Sequence, residues 1–158
     1  GGSAGIFTGS AALRYNYTDT GKGSTWEGGI RMPAFVRYPG VIPPHHRSDE
    51  VVSSLDLVPS VLSIAGVPLP DPEGPHATDG RDSSGVWLRG ERTPHDHLWF
   101  YNDPWLGNVS SEVYAVRTGQ YKLHFVTQEG YEPRGRAVPT PAQRHSPPLA
   151  FNVGEDPA

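Results

Sequence analysis

The sequence predicts a chain of mixed helix and strand, with one short helix in its first half and a small antiparallel sheet in its second. Three observations carry that expectation. Leu57, Val58, Val61, Leu62 and Ala65 recur at three- and four-residue spacing within Asp56–Gly66 (DLVPSVLSIAG), which is the period of one helix face. Glu112–Arg117 and Tyr121–Thr127 flank Thr118-Gly119-Gln120, a three-residue connection suited to a hairpin with a bulge at Gly119. The 19 glycines and 17 prolines favour turns and short strands over long helices.

Composition bounds the rest. At 158 residues the length fits one ordinary domain, able to bury ~70% of its unfolded surface if it folded alone. A net charge of -4 gives no electrostatic case for nucleic acid or an anionic membrane. There is no run of about 18 apolar residues to span a bilayer. The absence of cysteine excludes a disulfide framework, a thiolate zinc site and a cysteine nucleophile. The chain opens at Gly1, with neither an initiator Met nor a secretory signal, so the expectation is that it starts inside a longer gene product.

Gly21–Gly40 (GKGSTWEGGIRMPAFVRYPG) is the stretch around which the elements are arranged. Residues 1–20 read as a Gly/Ser-rich loop leading to it. Lys22 stands between Gly21 and Gly23, which free the backbone to approach a ligand closely. Thr25 to Gly29 forms a second turn, and Met32–Tyr38 reads as a short apolar segment, a buried strand in the plainest reading, ending at the Pro39-Gly40 turn. On composition alone Lys22 is a solvated loop lysine. Asn16-Tyr17-Thr18 and Asn108-Val109-Ser110 are N-glycosylation sequons, with Asn16 and Asn108 as acceptors.

His45 and His46 are neighbours and would point to opposite sides of a strand, so they read as exposed rather than as joint ligands. Ser54 or Asp56 can cap the helix and Gly66 can end it, and its apolar face makes it a core-packing helix. Pro70–Ser84 is a loop. Past Arg92 the character changes to short strands. His97–Tyr101 (HLWFY) reads as a buried or half-buried strand. His95 and His97 have the spacing of a metal pair on a strand face, but no third ligand can be named, and a structural role is favoured. In Tyr121–Thr127 one face carries Tyr121, Leu123 and Phe125, the other Lys122, His124 and Val126. Tyr131–Pro148 reads as a surface excursion before a last strand at Leu149–Val153.

Gly-Lys-Gly-Ser-Thr-Trp-Glu-Gly-Gly-Ile-Arg-Met-Pro-Ala, beginning at Gly21, resembles a signature of the arylsulfatase family. So do Ser-Leu-Asp-Leu-Val-Pro-Ser-Val-Leu around Asp56, Asp79-Gly80-Arg81-Asp82, Tyr-Ala-Val-Arg-Thr-Gly-Gln-Tyr-Lys-Leu-His from Tyr114, and Leu-Ala-Phe-Asn-Val-Gly-Glu-Asp-Pro from Leu149. The matches run in the family's order from Lys22 to Ala158. The resemblance implies an α/β fold of alkaline-phosphatase type, with residues 1–92 ending the main domain and 93–158 forming a smaller, incomplete antiparallel subdomain. It implies that the helix face and the hairpin pack against preceding parts of a longer protein, leaving an apolar patch open here, and that Asp56 is structural.

The resemblance also implies chemistry. Lys22 would be the catalytic and substrate-binding residue facing the sulfate of a sulfate-ester substrate, with His124 a further substrate-binding candidate. The family's calcium ligands and its formylglycine, made from Cys or Ser of a C-x-P-x-R motif, would lie before Gly1, so no metal ligand is assigned in this chain. Without that nucleophile the isolated chain should be inactive. The secretory route, lysosomal or extracellular, is the implied location. A phosphodiester or phosphonate hydrolase of the same superfamily, or a non-catalytic β-rich module binding carbohydrate or protein, are the alternatives.

Overall fold

The computed structural model describes residues 24–101, 112–127 and 142–156. In chain order its elements are α1 (Glu27–Ile30), a 3-10 turn (Ser54–Asp56), α2 (Leu57–Ile64), α3 (Ser84–Arg89), β1 (Leu98–Tyr101), β2 (Val113–Thr118), β3 (Tyr121–Thr127) and β4 (Gln143–Asn152). They fall into two units. One takes the described residues of Gly1–Pro33 and His97–Ala158, the other Ala34–Asp96.

In the unit Ala34–Asp96 the expected helix is present, entered through the 3-10 turn. Its cap is Ser53 rather than Ser54 or Asp56. The Ser53 hydroxyl accepts from Leu55 N at 3.2 Å, and Asp56 accepts from Ser53 N at 2.9 Å. That reciprocal arrangement needs a hydroxyl three residues ahead of the acid, which only Ser53 supplies. Gly66 ends the helix at φ 68°, with Val67 N donating to Leu62 O at 2.9 Å, a left-handed stop that glycine adopts without a Cβ clash.

α2 buries Pro59 and Ser60, not its apolar stripe. Leu57, Val58 and Val61 are 54%, 61% and 56% exposed, so the core role that the spacing predicts is not met within this chain. The open apolar patch implied by the family resemblance is what the helix presents instead. The side that is covered is the one where Ser60 Oγ accepts from Ser83 N at 2.8 Å.

Asp56 is the centre of this unit and is fully buried. Its carboxylate accepts from Ser53 N, Arg81 N and Ser83 Oγ, each at 2.9 Å, and from His95 Nε2 at 2.8 Å. Burial pushes this carboxyl up, but the hydrogen bonds from Arg81, Ser53, His95 and Ser83 hold it below the usual carboxylate range. The Asp79–Asp82 turn can reach it because Gly80 has no side chain. A Cβ there would stand 2.0 Å from Leu55 O. The structural reading of Asp56 and of His95 follows from these contacts.

Met32–Tyr38 is not a buried strand. It runs without strand pairing, with Met32 74% and Phe35 95% exposed. A strand is held by its neighbour's ladder, and none of β1–β4 pairs with this segment. The turn at Pro39-Gly40 does form, with Ile42 N donating to Tyr38 O at 2.9 Å.

In the other unit the strands form one antiparallel sheet in the order β1-β2-β3-β4. Thr118 pairs with Tyr121, so the hairpin loop is Gly119-Gln120 alone, one residue shorter than expected. Gly119, at φ 53°, takes the first loop position, where a two-residue II′ turn needs a positive φ. The register shifts fall at Phe100/Tyr101 and His124/Val126 instead. β4 starts at Gln143 rather than Leu149, because Gln143 and Arg144 pair with Thr127 and Val126. Pro147 and Pro148 fall at the register shift between Arg144 and Leu149, outside the paired residues, so their missing N–H groups cost no ladder bond.

Asp56→Ala should lower unfolding free energy by ~4 kcal/mol, since several buried donors lose their acceptor at once. Ser83→Ala, which removes one of them, should cost ~1 kcal/mol. Urea denaturation of both variants checks this, and a change under ~0.5 kcal/mol for Asp56→Ala would remove its central role.

Candidate functional site

The covered face of the sheet is the one that carries Lys122 and His124. Lys122 and His124 are each 1% exposed, whereas Tyr121 is 53% exposed. A lysine is seldom buried so completely unless its charge is paired. The register adds a second difficulty, because Lys122 stands directly opposite Arg117 on β2, and like charges so placed repel.

Glu27, at the start of α1, resolves both. Its Oε1 accepts from Lys122 Nζ at 3.0 Å and its Oε2 from Arg117 Nη1 at 3.1 Å. Lys122 also donates to Thr25 O, and its ammonium lies 4.5 Å from the centre of the Phe100 ring. Arg117 Nε donates to Gly119 O at 3.0 Å. One carboxylate thus bridges two cations on adjacent strands and ties residues 25–27 to the sheet.

The neighbouring contact is aromatic. Trp26, 5% exposed, stacks on His124 with ring centroids 4.3 Å apart and planes 24° from parallel. Phe151 on β4 meets both rings edge-on, at 5.4 Å from Trp26 and 5.7 Å from His124. Thr25 Oγ1 lies 3.5 Å from His124 Nδ1. Thr25, Trp26 and Glu27 therefore each hold the loop to the sheet, by three different kinds of contact.

Burial sets the charges. It pushes Lys122 down to about 8, against the pull of Glu27 and with a smaller push from Arg117. It pushes His124 down to about 3, helped by the Lys122 ammonium and by His145. At neutral pH His124 is an uncharged ring in an aromatic stack, and Lys122 remains the cation that meets Glu27.

Of the residues singled out in the sequence, Lys22, Asn16 and Asn108 lie outside the described residues. Ser24, two residues on from Lys22, opens the described loop. His124 lies inside the sheet's covered face, against Trp26. His45 and His46 are exposed as expected, and His97 meets Trp99 edge-on at 5.9 Å. Sequence reasoning passed over Trp26, Glu27, Arg117 and Lys122 as a set. The available signal was the pair of ionisable residues sharing a face of β3 with Val126.

Among the described residues no three His, Cys, Asp or Glu side chains converge as a metal site.

The His124 shift has a consequence for stability. Its folded pKa lies below the unfolded value, so below about 6.5 the unfolded chain takes up a proton that the folded chain refuses. Stability should be fully present above pH 6.5 and fall by about 1.4 kcal/mol per pH unit as pH drops towards 3. His124→Phe keeps the stack and should flatten that slope. Equal slopes for the two proteins in urea titrations from pH 4 to 7 would contradict it.

Residues 93–158 match the C-terminal region of aryl-sulfatase, and residues 10–67 match the sulfatase family. Human arylsulfatase A is 39% identical over 142 residues, covering 87% of this chain and 27% of that protein. Rat steryl-sulfatase is 31% identical over 175 aligned positions, covering 99% of this chain and 26% of its own. The chain thus spans about a quarter of the length of these relatives. The crystal structure of the PsFucS1 sulfatase from Pseudoalteromonas sp. superimposes with a TM-score of 0.71 over 88% of this chain and 26% of that one, at 24% identity. That likeness shows the fold, the α/β sulfatase architecture of alkaline-phosphatase type with its small antiparallel sheet. The chain belongs to the sulfatase family and corresponds to a C-terminal portion of its members.

Proposed function

We propose that this chain is part of an enzyme that hydrolyses sulfate esters, and that its contribution to the active site is Lys22. The observation that carries the reading is the clamp on Thr25, Trp26 and Glu27. It fixes the loop a few residues beyond Lys22 to a sheet, as a substrate-facing lysine on a Gly-flanked loop requires. The match of residues 10–67 to the sulfatase family includes Lys22.

Lys22 supplies a compact ammonium. As the sulfate ester breaks, negative charge spreads over the sulfuryl oxygens, and a fixed cation beside them stabilises that state more than the ground state. Nucleophile and metal ligands belong to sequence outside this chain in this reading, and the isolated chain is inactive. The names of the relatives cover aryl and steryl sulfates, which supports a sulfate ester as the substrate class. The division at residues 92 and 93 belongs to the same proposal. So does a secretory route, with sequons at Asn16 and Asn108.

In the complete enzyme Lys22→Ala should lower kcat for an aryl sulfate roughly a hundred- to a thousandfold, in line with the loss of one oxyanion donor. Lys22→Arg should restore only part of it, because a planar fork does not fill the place of an ammonium. Wild-type kcat and KM in Lys22→Ala would make Lys22 an ordinary surface lysine.

A further inference from the structure

The cations on β2 and β3 supply the sheet's side of that clamp, and their burial is costly. Lys122 is 1% exposed and opposite Arg117, and a hydrophobic pair there would pack without any charge to compensate. What the two cations hold is Glu27, and through it the loop. Lys122 grips that loop twice, at the Glu27 carboxylate and at the Thr25 carbonyl. Thr25 is three residues past Lys22, no more than ~11 Å along the chain.

We propose that Lys122 and Arg117 are positioning residues for Lys22, acting through Glu27 and the Thr25 carbonyl. The proposal rests on the reading of Lys22 as the sulfate-facing residue. The clamp works by charge and direction together. Glu27 is fixed at both oxygens, so the turn that carries it cannot rotate, and the Lys122–Thr25 bond fixes the backbone just before that turn. Aromatic stacking of Trp26 on His124 would hold the loop near the sheet but leave it free to slide, because stacking tolerates lateral offset. A charged, two-point hydrogen bond does not. Small displacements at a reacting centre are costly in rate, which gives the clamp a kinetic role apart from stability.

The test is a double-mutant cycle in the complete enzyme with 4-nitrophenyl sulfate. Lys122→Met keeps the bulk of the side chain and removes its charge. In the wild-type background it should lower kcat roughly ten- to a hundredfold with a smaller change in KM. Combined with Lys22→Ala it should add less than about twofold, because the ammonium it positions is already gone. The same factor in both backgrounds, or no loss of kcat in the first, overturns the proposal while leaving Lys22 in its role. Wild-type kcat in Lys22→Ala alone overturns that role and the proposal with it. If Lys122→Met does not fold, Arg117→Met takes its place in the cycle, with the same expected non-additivity and the same overturning result. Arg117→Lys, which can still donate to Glu27, should then recover most of the rate.

Discussion

The Glu27 carboxylate, closed off from water between Lys122 and Arg117, determines which face of the sheet is covered. Two cations opposite each other on neighbouring strands would drive the strands apart or hold that face open to solvent. With Glu27 between them the same face closes, and Trp26, His124 and Phe151 pack beside the charges. Removing Glu27 would leave two cations facing each other without compensation, which is far more costly than never having them. The second unit obeys the same constraint with Asp56. There the compensation is a ring of donors from Ser53, Arg81, Ser83 and His95 rather than a pair of cations.

These two solutions suit different tasks. Asp56 gathers donors from three segments and fixes where α2, the Asp79–Asp82 turn and His95 meet. Glu27 instead fastens a short Gly-rich loop to a rigid sheet, and binding groups are commonly presented on loops held by such scaffolds. In the proposed function this loop has a use, because Lys22 precedes the clamped residues Thr25, Trp26 and Glu27 in the sequence.

Local features of the fold were legible in the sequence. The spacing of Leu57, Val58, Val61 and Leu62 located α2, and Gly119 between two β-rich runs located the hairpin, because period and turn chemistry are short-range properties. The choice of covered face was not legible. Hydrophobicity favours Tyr121, Leu123 and Phe125 as the inner set, whereas Lys122 and His124 are inside. What reverses the choice is Glu27, 95 residues earlier in the chain. The Asp56–His95 pair spans 39 residues and was hidden for the same reason. Met32–Tyr38 shows the converse. Its composition suits a strand, but a strand also needs a neighbour, and composition cannot supply one.

Amide hydrogen exchange across residues 24–30 of the complete enzyme tests the Glu27 clamp most directly, in wild type and in Glu27→Gln. The variant keeps the side chain's shape and removes the charge that both Lys122 and Arg117 meet. Markedly faster exchange is expected for these loop amides in Glu27→Gln, with protection retained in β2 and β3 away from Arg117 and Lys122. Unchanged protection of residues 24–30 would mean that the loop is held by other contacts and that the buried carboxylate does not position it.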